Sequence, residues 1–181
     1  MSQSSLQHQT HAAELARHQP VRCAILTVSD TRTKDTDEGG TLIQKQLLDA
    51  GHIVAGRGIV KDDAAQILAQ IHQWLADPSI HVILTTGGTG IARRDNTIEI
   101  VRRLLTIELE GFGELFRMLS YQHVGAAAML SRALAGLVIR DSVGGGETFV
   151  FAMPGSPNAV EVAMGQLIAP QLAHLVWERK R

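Results

Sequence analysis

The sequence predicts an α/β domain of three layers, in which a mainly parallel β-sheet lies between two layers of helices. Short apolar runs rich in Val, Ile and Leu alternate with longer segments whose apolar residues recur every three to four positions. Strands that alternate with amphipathic helices form parallel sheets with both faces covered. The 181 residues fit one domain, and residues 20–181 contain no internal repeat and no linker.

Strands are expected where a short apolar run ends in polar or glycine-rich residues. The expected strands are Arg22–Val28, Ile53–Val60, Ile80–Leu84, Leu137–Ile139 and Thr148–Met153. The last two strands flank the polar loop Ser142–Glu147, and this arrangement predicts a β-hairpin.

Helices are expected where apolar residues line one face at helical spacing. Asn96 and Glu99 have the spacing of a capping box, and Asn158 is expected to cap a long C-terminal helix. The expected helices are Gly39–Ala50, Asp62–Leu75, Thr97–Leu105, Glu114–Gln122, Ala126–Ser131 and Asn158–Lys180.

Composition and charge exclude several classes of protein. There are 17 basic and 18 acidic residues, so a general nucleic-acid or membrane-surface binder is not expected. No apolar run approaches membrane-spanning length, and the polar N-terminus lacks the apolar core of a signal peptide, so we expect a cytoplasmic protein without a membrane partner. The single cysteine, Cys23, lies in an apolar run and is expected to be a core residue.

Residues 1–19 are rich in Gln, Ser and His and are expected to form a flexible N-terminal tail. His8, His11 and His18 would form a weak metal-binding cluster if this part were helical. A solvated extension is the interpretation that we favour, and the domain is expected to cover residues 20–181.

Polar or glycine-rich residues follow four of the predicted strands. The carboxyl ends of parallel strands meet at one edge of a sheet, which is where open α/β sheets bind ligands. The four loops are therefore expected to form one site. They are Ser29-Asp30-Thr31-Arg32, Lys61-Asp62-Asp63, Thr85-Thr86-Gly87-Gly88-Thr89-Gly90 with Arg93-Arg94-Asp95, and Pro154-Gly155-Ser156-Pro157.

The glycine turn Gly87–Gly90 lies between a predicted strand and a predicted helix. Its backbone N–H groups, with a helix N-terminus behind them and hydroxyls at Thr86 and Thr89, suit phosphate oxygens. A tight turn without a ligand is the alternative, and the turn alone does not separate the two. No Gly-Lys-Ser/Thr follows, and Arg93 stands where a dinucleotide fingerprint has its third glycine.

Asp62 and Asp95 each lie just before a predicted helix, where an aspartate is often only a cap. A cap at Asn96 would leave Asp95 available for another role, whereas Asp62 and its neighbour Asp63 both remain candidate caps. Two carboxylates close to phosphates would suit Mg²⁺. Four arginines could pair with phosphates, although exposed arginines are usually solvated: Arg32, Arg93, Arg94 and Arg132.

An ordered set of motifs in residues 20–175 resembles the MoaB/MogA family of molybdenum cofactor biosynthesis proteins. A single motif would be weak, but the ordered set is highly specific. The motifs are Thr85-Thr86-Gly87-Gly88-Thr89-Gly90, Arg94-Asp95-Asn96-Thr97, Gly111-Phe112-Gly113-Glu114, Phe116-Arg117-Met118-Leu119-Ser120, Ser131-Arg132 and Pro154-Gly155-Ser156-Pro157.

The resemblance implies a three-layer fold of the molybdopterin-binding type that assembles as trimers or hexamers. It implies binding of molybdopterin, whose terminal phosphate the MogA-like and plant members adenylylate with ATP and Mg²⁺. A separate protein then inserts molybdate and is an implied partner. The family's essential aspartates correspond to Asp95 and Asp62, and Ser131 and Arg132 match a segment that helps bind the pterin.

Departures from the family pattern concern catalysis more than binding. Ile98 stands where the adenylylating group commonly has proline, and the Phe116–Ser120 segment is closer to the MoaB branch, some members of which bind pterin without adenylylating it. The first hypothesis is a molybdopterin adenylyltransferase, which the presence of both Asp62 and Asp95 favours. A non-catalytic pterin carrier and a scaffold protein are the alternatives, and we expect no large exposed apolar surface of the kind a scaffold needs.

Overall fold

The structure, a computed structural model, describes residues 19–140 and 146–179. Nearly all of the predicted tail, most of the predicted hairpin loop and the last two residues lie outside these ranges. Gln19, the one described residue of the predicted tail, accepts a hydrogen bond at its carbonyl oxygen from Nε1 of Trp177 at 2.8 Å.

The described residues form a sheet of six strands, with helices in the connections between them. The strands are β1 (Arg22–Val28), β2 (Ile53–Val60), β3 (Val82–Thr86), β4 (Ile107–Glu108), β5 (Leu134–Ile139) and β6 (Glu147–Met153). The helices are α1 (Glu38–Asp49), α2 (Ala64–Leu75), α3 (Thr97–Leu104), α4 (Glu110–Val124), α5 (Pro157–Val162) and α6 (Leu172–Glu178).

The strand order is β2-β1-β3-β6-β5-β4. The first four strands in this order are parallel, so their carboxyl ends lie at the same edge of the sheet. β5 is antiparallel to both β6 and β4, and this confirms the predicted hairpin of β5 and β6. The two-residue strand β4 is too short to give a periodic signal, and the sequence did not predict it.

Alternate residues of β1 face the two helical layers. Cys23 and Ile25 pack into one core with apolar residues of α1, α4, α5 and α6. Ala24 and Leu26 pack into a second core with residues of α2 and α3. This alternation confirms the three-layer prediction and the position of Cys23 in the core, where burial raises the pKa of its thiol.

The prediction of one continuous C-terminal helix is wrong. The helix begins at Pro157, because Oγ of Ser156, rather than Asn158, accepts the capping hydrogen bond from Ala159 N at 3.3 Å. A π-helical segment, Ala163–Ile168, follows α5. Pro170 lacks the N–H that a continuing helix needs, and α6 follows at a bend of 50°.

No single helix in the described ranges is long and apolar enough to cross a membrane. The segments Pro157–Ile168 and Leu172–Glu178, which are bent relative to one another, reach the length and apolar composition of a membrane span only when they are counted together. Many of their apolar side chains, such as Met164, Ile168 and Val176, are buried against the sheet.

Several boundaries differ from the predictions because local caps and tertiary contacts decide them. Asp63 caps α2 by accepting a hydrogen bond from Gln66 N at 3.0 Å, so the helix begins at Ala64 rather than Asp62. β3 lies two residues later than predicted. α4 is longer than predicted, and the segment after it, Gly125–Leu130, is a 3₁₀-helix.

The expectation of no large exposed apolar surface is also wrong. Apolar side chains on α4 and the following 3₁₀-helix are exposed together, and Met129 is 80% exposed. We call this group the apolar patch, and its members are Met118, Tyr121, Val124, Met129 and Leu130.

Candidate functional site

The four loops at the carboxyl ends of the parallel strands meet, as the sequence predicts. Hydrogen bonds join the loop after β1 to the end of β2 and to the loop that follows β2. Other hydrogen bonds join β3 and the glycine turn to the end of β6 and the loop that follows it. They run from Ser29 N to Val60 O (2.9 Å), Asp62 N to Asp30 Oδ1 (3.2 Å), Gly87 N to Met153 O (3.1 Å) and Thr86 Oγ1 to Pro154 O (3.1 Å).

The glycine turn has a backbone conformation that requires glycine. Gly87 has a φ of 94° and Gly88 a φ of 61°, both in the left-handed region that L side chains rarely adopt. A Cβ on Gly87 would also clash with the carbonyl oxygen of Val28. A Cβ on Gly155 would lie 3.2 Å from Cα of Gly87, so the two loops pack backbone to backbone.

Arg132 supports the glycine turn through main-chain carbonyls. Its Nε donates to Thr89 O at 2.8 Å, and Nη2 donates to Gly90 O. Nη1 forms an ion pair with Glu99 and holds the pKa of that carboxyl below its usual value. Arg132 therefore contacts both the turn and Glu99 of α3, and its neighbour Ser131 follows the end of the 3₁₀-helix.

The structure brings Asp62 and Asp95 together, although 33 positions separate them in the chain. Burial raises the pKa of Asp62, and the neighbouring carboxylates of Asp95 and Asp30 raise it further, while the backbone N–H of Asn96 acts in the opposite direction. Oδ1 of Asp62 is buried and has no hydrogen-bond partner among the described residues. The result is a pair of acidic groups whose mutual repulsion the described residues do not fully offset.

The predicted capping box of Asn96 and Glu99 is wrong. The side chain of Asn96 makes no capping bond, and its Nδ2 donates instead to the carbonyl oxygen of Arg94 at 2.7 Å. Glu99 pairs with Arg132 instead. Asp95 is therefore not released by an Asn96 cap, and its Oδ2 accepts a hydrogen bond from Ala92 N at 2.8 Å.

Asp37 is a buried residue next to this site that the sequence analysis missed. It caps α1 by accepting a hydrogen bond from Gly40 N at 2.9 Å, and it is only 2% exposed. Its Oδ2 accepts from Thr27 Oγ1 at 2.9 Å and pairs with Arg57 at 2.8 Å. An aspartate directly before Glu38 has the signature of a helix start, and this signal could have identified the cap.

The capped start of α1 lies against the loops of the site. A Cβ on Gly39 would be 3.4 Å from the carbonyl oxygen of Gly155 and 3.7 Å from Oγ1 of Thr86. The Asp37–Arg57 pair therefore fixes one wall of the site from outside it.

The donor set favours a hard cation over zinc. Within residues 19–140 and 146–179, no group of three or more His, Cys, Asp or Glu side chains could hold a metal ion. Zinc sites use at least three such ligands. Mg²⁺ is held by one or two carboxylates, with phosphate oxygens and water in its other positions, and the pair of Asp62 and Asp95 fits that description.

Comparison with protein families agrees with the motifs and the geometry. Residues 24–174 match the family described as "Probable molybdopterin binding domain". The chain belongs to this family. The Molybdenum cofactor biosynthesis protein B of Staphylococcus carnosus is 52% identical over 161 residues, which are 87% of this chain and 90% of the relative.

Solved structures of the molybdopterin-binding family have the same fold. A crystal structure of a Molybdenum cofactor biosynthesis protein B superposes with a TM-score of 0.83 at 47% identity and covers 90% of this chain and 98% of that one. The tungsten cofactor synthesizing protein MoaB from Pyrococcus furiosus superposes with a TM-score of 0.79 at 35% identity, covering 90% and 99%. The resemblance to the MoaB/MogA family is thus confirmed.

In this family member, the residues after β1 make hydrogen bonds within the loops of the site. Oγ of Ser29 accepts hydrogen bonds from Thr31 N and Arg32 N at 3.3 and 3.2 Å. Asp30 binds Arg94 at 3.0 Å through its Oδ2. Of the arginines predicted to pair with phosphate, Arg94 is thus paired with a carboxylate, and Nη1 of Arg32 donates to a main-chain carbonyl. Arg93 is exposed.

Proposed function

We propose that this chain acts in molybdenum cofactor biosynthesis by binding molybdopterin and adenylylating its terminal phosphate with ATP. The observation that carries the proposal is the pair of carboxylates, Asp62 and Asp95, at the glycine turn Gly87–Gly90. Membership of the molybdopterin-binding family and the names of its relatives support the pathway. The adenylyl transfer is our inference from the site.

The glycine turn and the start of α3 are the proposed binding site for the pterin phosphate. Backbone N–H groups of a glycine-rich turn and the positive end of a helix dipole both favour an anion. Since the net charge of the chain is −1, this attraction is local rather than a property of the whole surface. Ser131, which precedes Arg132, and Gly155 and Ser156, in the loop after β6, are proposed to contact the pterin.

Asp62 and Asp95 are the proposed ligands for Mg²⁺. The unpartnered Oδ1 of Asp62 and the closeness of the two carboxylates fit a cation, because a positive charge would satisfy the buried oxygen and offset the repulsion. A bound Mg²⁺ would screen the negative charge of the two phosphate groups that must come together.

The proposed reaction needs no protein nucleophile. An anionic oxygen of the pterin phosphate forms a bond to the α-phosphorus of ATP, and the bond from that phosphorus to the bridging oxygen of the β-phosphate breaks. Pyrophosphate leaves with the electron pair, and the product is molybdopterin joined to AMP. The contribution of the protein is to position the reactants and stabilise charge, which agrees with a site built from glycine turns and carboxylates. The product would then pass to a protein that inserts molybdate.

Incubation of the purified protein with molybdopterin, ATP and Mg²⁺ tests the proposal. We expect adenylylated pterin and pyrophosphate in equal amounts. Asp95→Ala should abolish turnover while pterin binding is largely retained. Asp49→Ala is the matched control, because this exposed carboxylate pairs with Lys45 on α1, and its activity should equal that of the unmodified chain.

A non-catalytic carrier is the alternative that this experiment distinguishes. Tight molybdopterin binding without any adenylylated product would exclude the enzyme and leave the carrier. If the purified protein neither forms the product nor binds molybdopterin, both the enzyme and the carrier are excluded.

We further propose that the chain forms a homo-oligomer, a trimer or a hexamer as the family resemblance implies, through the apolar patch. Exposed apolar clusters of this kind mark interaction surfaces. The patch borders a cleft of about 420 Å³ lined by Met118, Tyr121 and Met129. Because the 3₁₀-helix of the patch ends directly before Ser131, assembly would also support that side of the site.

A further inference from the structure

Thr97 carries a buried hydroxyl group that the proposed function leaves without a role. The side chain is fully buried, and Oγ1 has no hydrogen-bond partner among the residues that the structure describes. Only its backbone is bonded, from Thr97 N to Gly88 O at 3.0 Å. Leaving a buried hydroxyl without a hydrogen bond is unfavourable, so a partner from outside the chain would stabilise it.

The position of this hydroxyl relates it to the carboxylate pair. A Cβ built on Gly88 would lie 2.9 Å from Oδ2 of Asp62 and still closer to Oγ1 of Thr97. The hydroxyl and the carboxylate therefore border the same small space beside Gly88, which is left open only because this residue is glycine. Asp95 lies beside the same turn, because its Oδ2 would be 2.6 Å from a Cβ on Gly90, and its carboxylate is close enough to Asp62 to raise the pKa of that group.

The carboxyl group of Asp62, whose Oδ2 faces Gly88, and the hydroxyl of Thr97 thus lie close together, and each group carries an oxygen without a partner in the described residues. Oδ1 of Asp62 and Oγ1 of Thr97 are both buried and both lack a partner within the described chain. A divalent cation accepts lone pairs from both kinds of oxygen at once. Threonine or serine hydroxyls serve as Mg²⁺ ligands beside an aspartate in other phosphate-binding sites.

We propose that the hydroxyl of Thr97 is a third protein oxygen of the cation site formed by Asp62 and Asp95, and that it helps to set the affinity of that site for divalent cations. The proposal rests on the cation site of the proposed function. Two carboxylates and one neutral hydroxyl leave the remaining Mg²⁺ positions to phosphate oxygens and water, as this ion prefers.

Titration of the full chain with Mn²⁺ tests the proposal without any turnover. Free Mn²⁺ is measured by electron paramagnetic resonance for the unmodified protein, Thr97→Val and Thr97→Ser. Valine has the shape of threonine without the hydroxyl, whereas serine keeps the hydroxyl. We expect Thr97→Val to weaken Mn²⁺ binding about tenfold, in the range seen when groups that support a metal site are removed. Thr97→Ser should bind close to the level of the unmodified chain.

Stability measurements on Thr97→Val and on a control variant separate the loss of a cation ligand from a general loss of folding. Thr97→Val removes an unpaired polar group, so it should fold and melt at or above the temperature of the unmodified chain in cation-free buffer. Thr148→Val is the control: its buried hydroxyl already donates to Ile80 O at 3.1 Å, so its loss should lower stability and leave Mn²⁺ affinity unchanged.

Each outcome decides one question. If Thr97→Val binds Mn²⁺ as tightly as the unmodified chain, the proposal for Thr97 is overturned and the carboxylate site stands. If the unmodified chain shows no saturable Mn²⁺ binding, both the cation site and the role of Thr97 are excluded.

Discussion

Nε of Arg132 donates a hydrogen bond to the carbonyl oxygen of Thr89, and the two atoms are 2.8 Å apart. Arg132 lies just before β5, while Thr89 belongs to the glycine turn after β3. The bond therefore ties the turn to a segment 43 residues further along the chain. A charged group that binds carbonyl oxygens fixes the orientation of the peptide groups, and so of the N–H groups proposed to face phosphate.

Arg132→Lys should destabilise the fold and weaken phosphate binding. A lysine ammonium cannot match the planar set of donors that binds Thr89, Gly90 and Glu99 together. We expect a loss of about 2 kcal/mol in the free energy of unfolding, measured with urea, because hydrogen bonds of charged groups contribute at this level. Molybdopterin affinity, measured by calorimetry, should fall in parallel.

The control for Arg132 is Arg102→Lys, in a surface pair with Glu108. Exposed ion pairs contribute less than about 1 kcal/mol, so stability and pterin affinity should stay almost unchanged. Equal effects of both substitutions would show that Arg132 has no special part in holding the turn.

Gly87→Ala should be among the most damaging single changes in the site. The residue has a φ of 94°, and its Cβ would meet the carbonyl oxygen of Val28. We expect more than about 2 kcal/mol of destabilisation, since backbone strain and a backbone clash add. Thermal and urea unfolding both measure it.

Gly111→Ala is the matched control, because this glycine lies inside α4 and nothing lies within 4 Å of its added Cβ. Alanine is favoured over glycine in a helix by about 1 kcal/mol. If Gly111→Ala stabilises the protein while Gly87→Ala destabilises it, the loss at Gly87 results from its positive φ and the clash of its Cβ. Similar changes at both positions would contradict it.

The sequence was sufficient to predict features that depend on local pattern. β1 was predicted with its observed bounds, because a continuous apolar run marks a strand buried on both faces. The meeting of Asp30, Asp62 and Gly87 at one edge followed from strand alternation alone. A parallel sheet brings these loops together whatever the details of packing.

Two of the features that the sequence did not predict depend on residues that are distant in the chain. Glu99 has capping-box spacing with Asn96, but it pairs with Arg132, which lies 33 residues away. Asp37 caps α1 locally, but its pairing with Arg57 of β2 joins residues 20 positions apart and cannot be predicted from neighbours in sequence. A propensity argument considers neighbours in sequence, whereas these side chains are placed by tertiary contacts.

Asp37→Ala should destabilise the protein far more than removal of an exposed carboxylate. The change would leave the guanidinium of Arg57 without its carboxylate and remove the cap of α1. Loss of one partner of a buried pair costs about 3–5 kcal/mol; because Arg57 is partly exposed, we expect the lower end of this range. Asp49→Ala, at the exposed pair with Lys45, should leave stability almost unchanged. Urea unfolding of the two variants compares them directly, and equal losses would contradict the structural role of Asp37.

Met129→Glu should break the proposed homo-oligomer. Met129 is the most exposed member of the apolar patch, and a carboxylate there would have to be desolvated in an interface. Light scattering should show a fall from the oligomer to the monomer mass. Leu68→Glu, on α2 in the other helical layer, should keep the mass of the unmodified chain. An unmodified chain that is already monomeric would exclude the interface.

Asp62→Asn should stabilise the cation-free protein at neutral pH and have no such effect in acid. The pKa of Asp62 is raised above its ordinary value of 3.8, chiefly by burial, so ionisation is less favourable in the folded chain than in the unfolded one. Well below pH 3.8 the carboxyl is protonated in both states and contributes no difference. As pH rises through the interval between the ordinary and the raised pKa, the folded state loses stability relative to the unfolded state.

Asparagine cannot ionise, and its side-chain oxygen can still accept a hydrogen bond from the N–H of Asn96. The stability of the variant therefore should not fall as pH rises. The Tm of both proteins, measured from pH 3 to 8 in the presence of a chelator, should coincide in acid and separate as pH rises. Added Mg²⁺ should raise the Tm of the unmodified chain only, because a cation favours the ionised carboxylate that the variant lacks. A difference in Tm that is constant across pH would show that ionisation of Asp62 does not destabilise the cation-free fold.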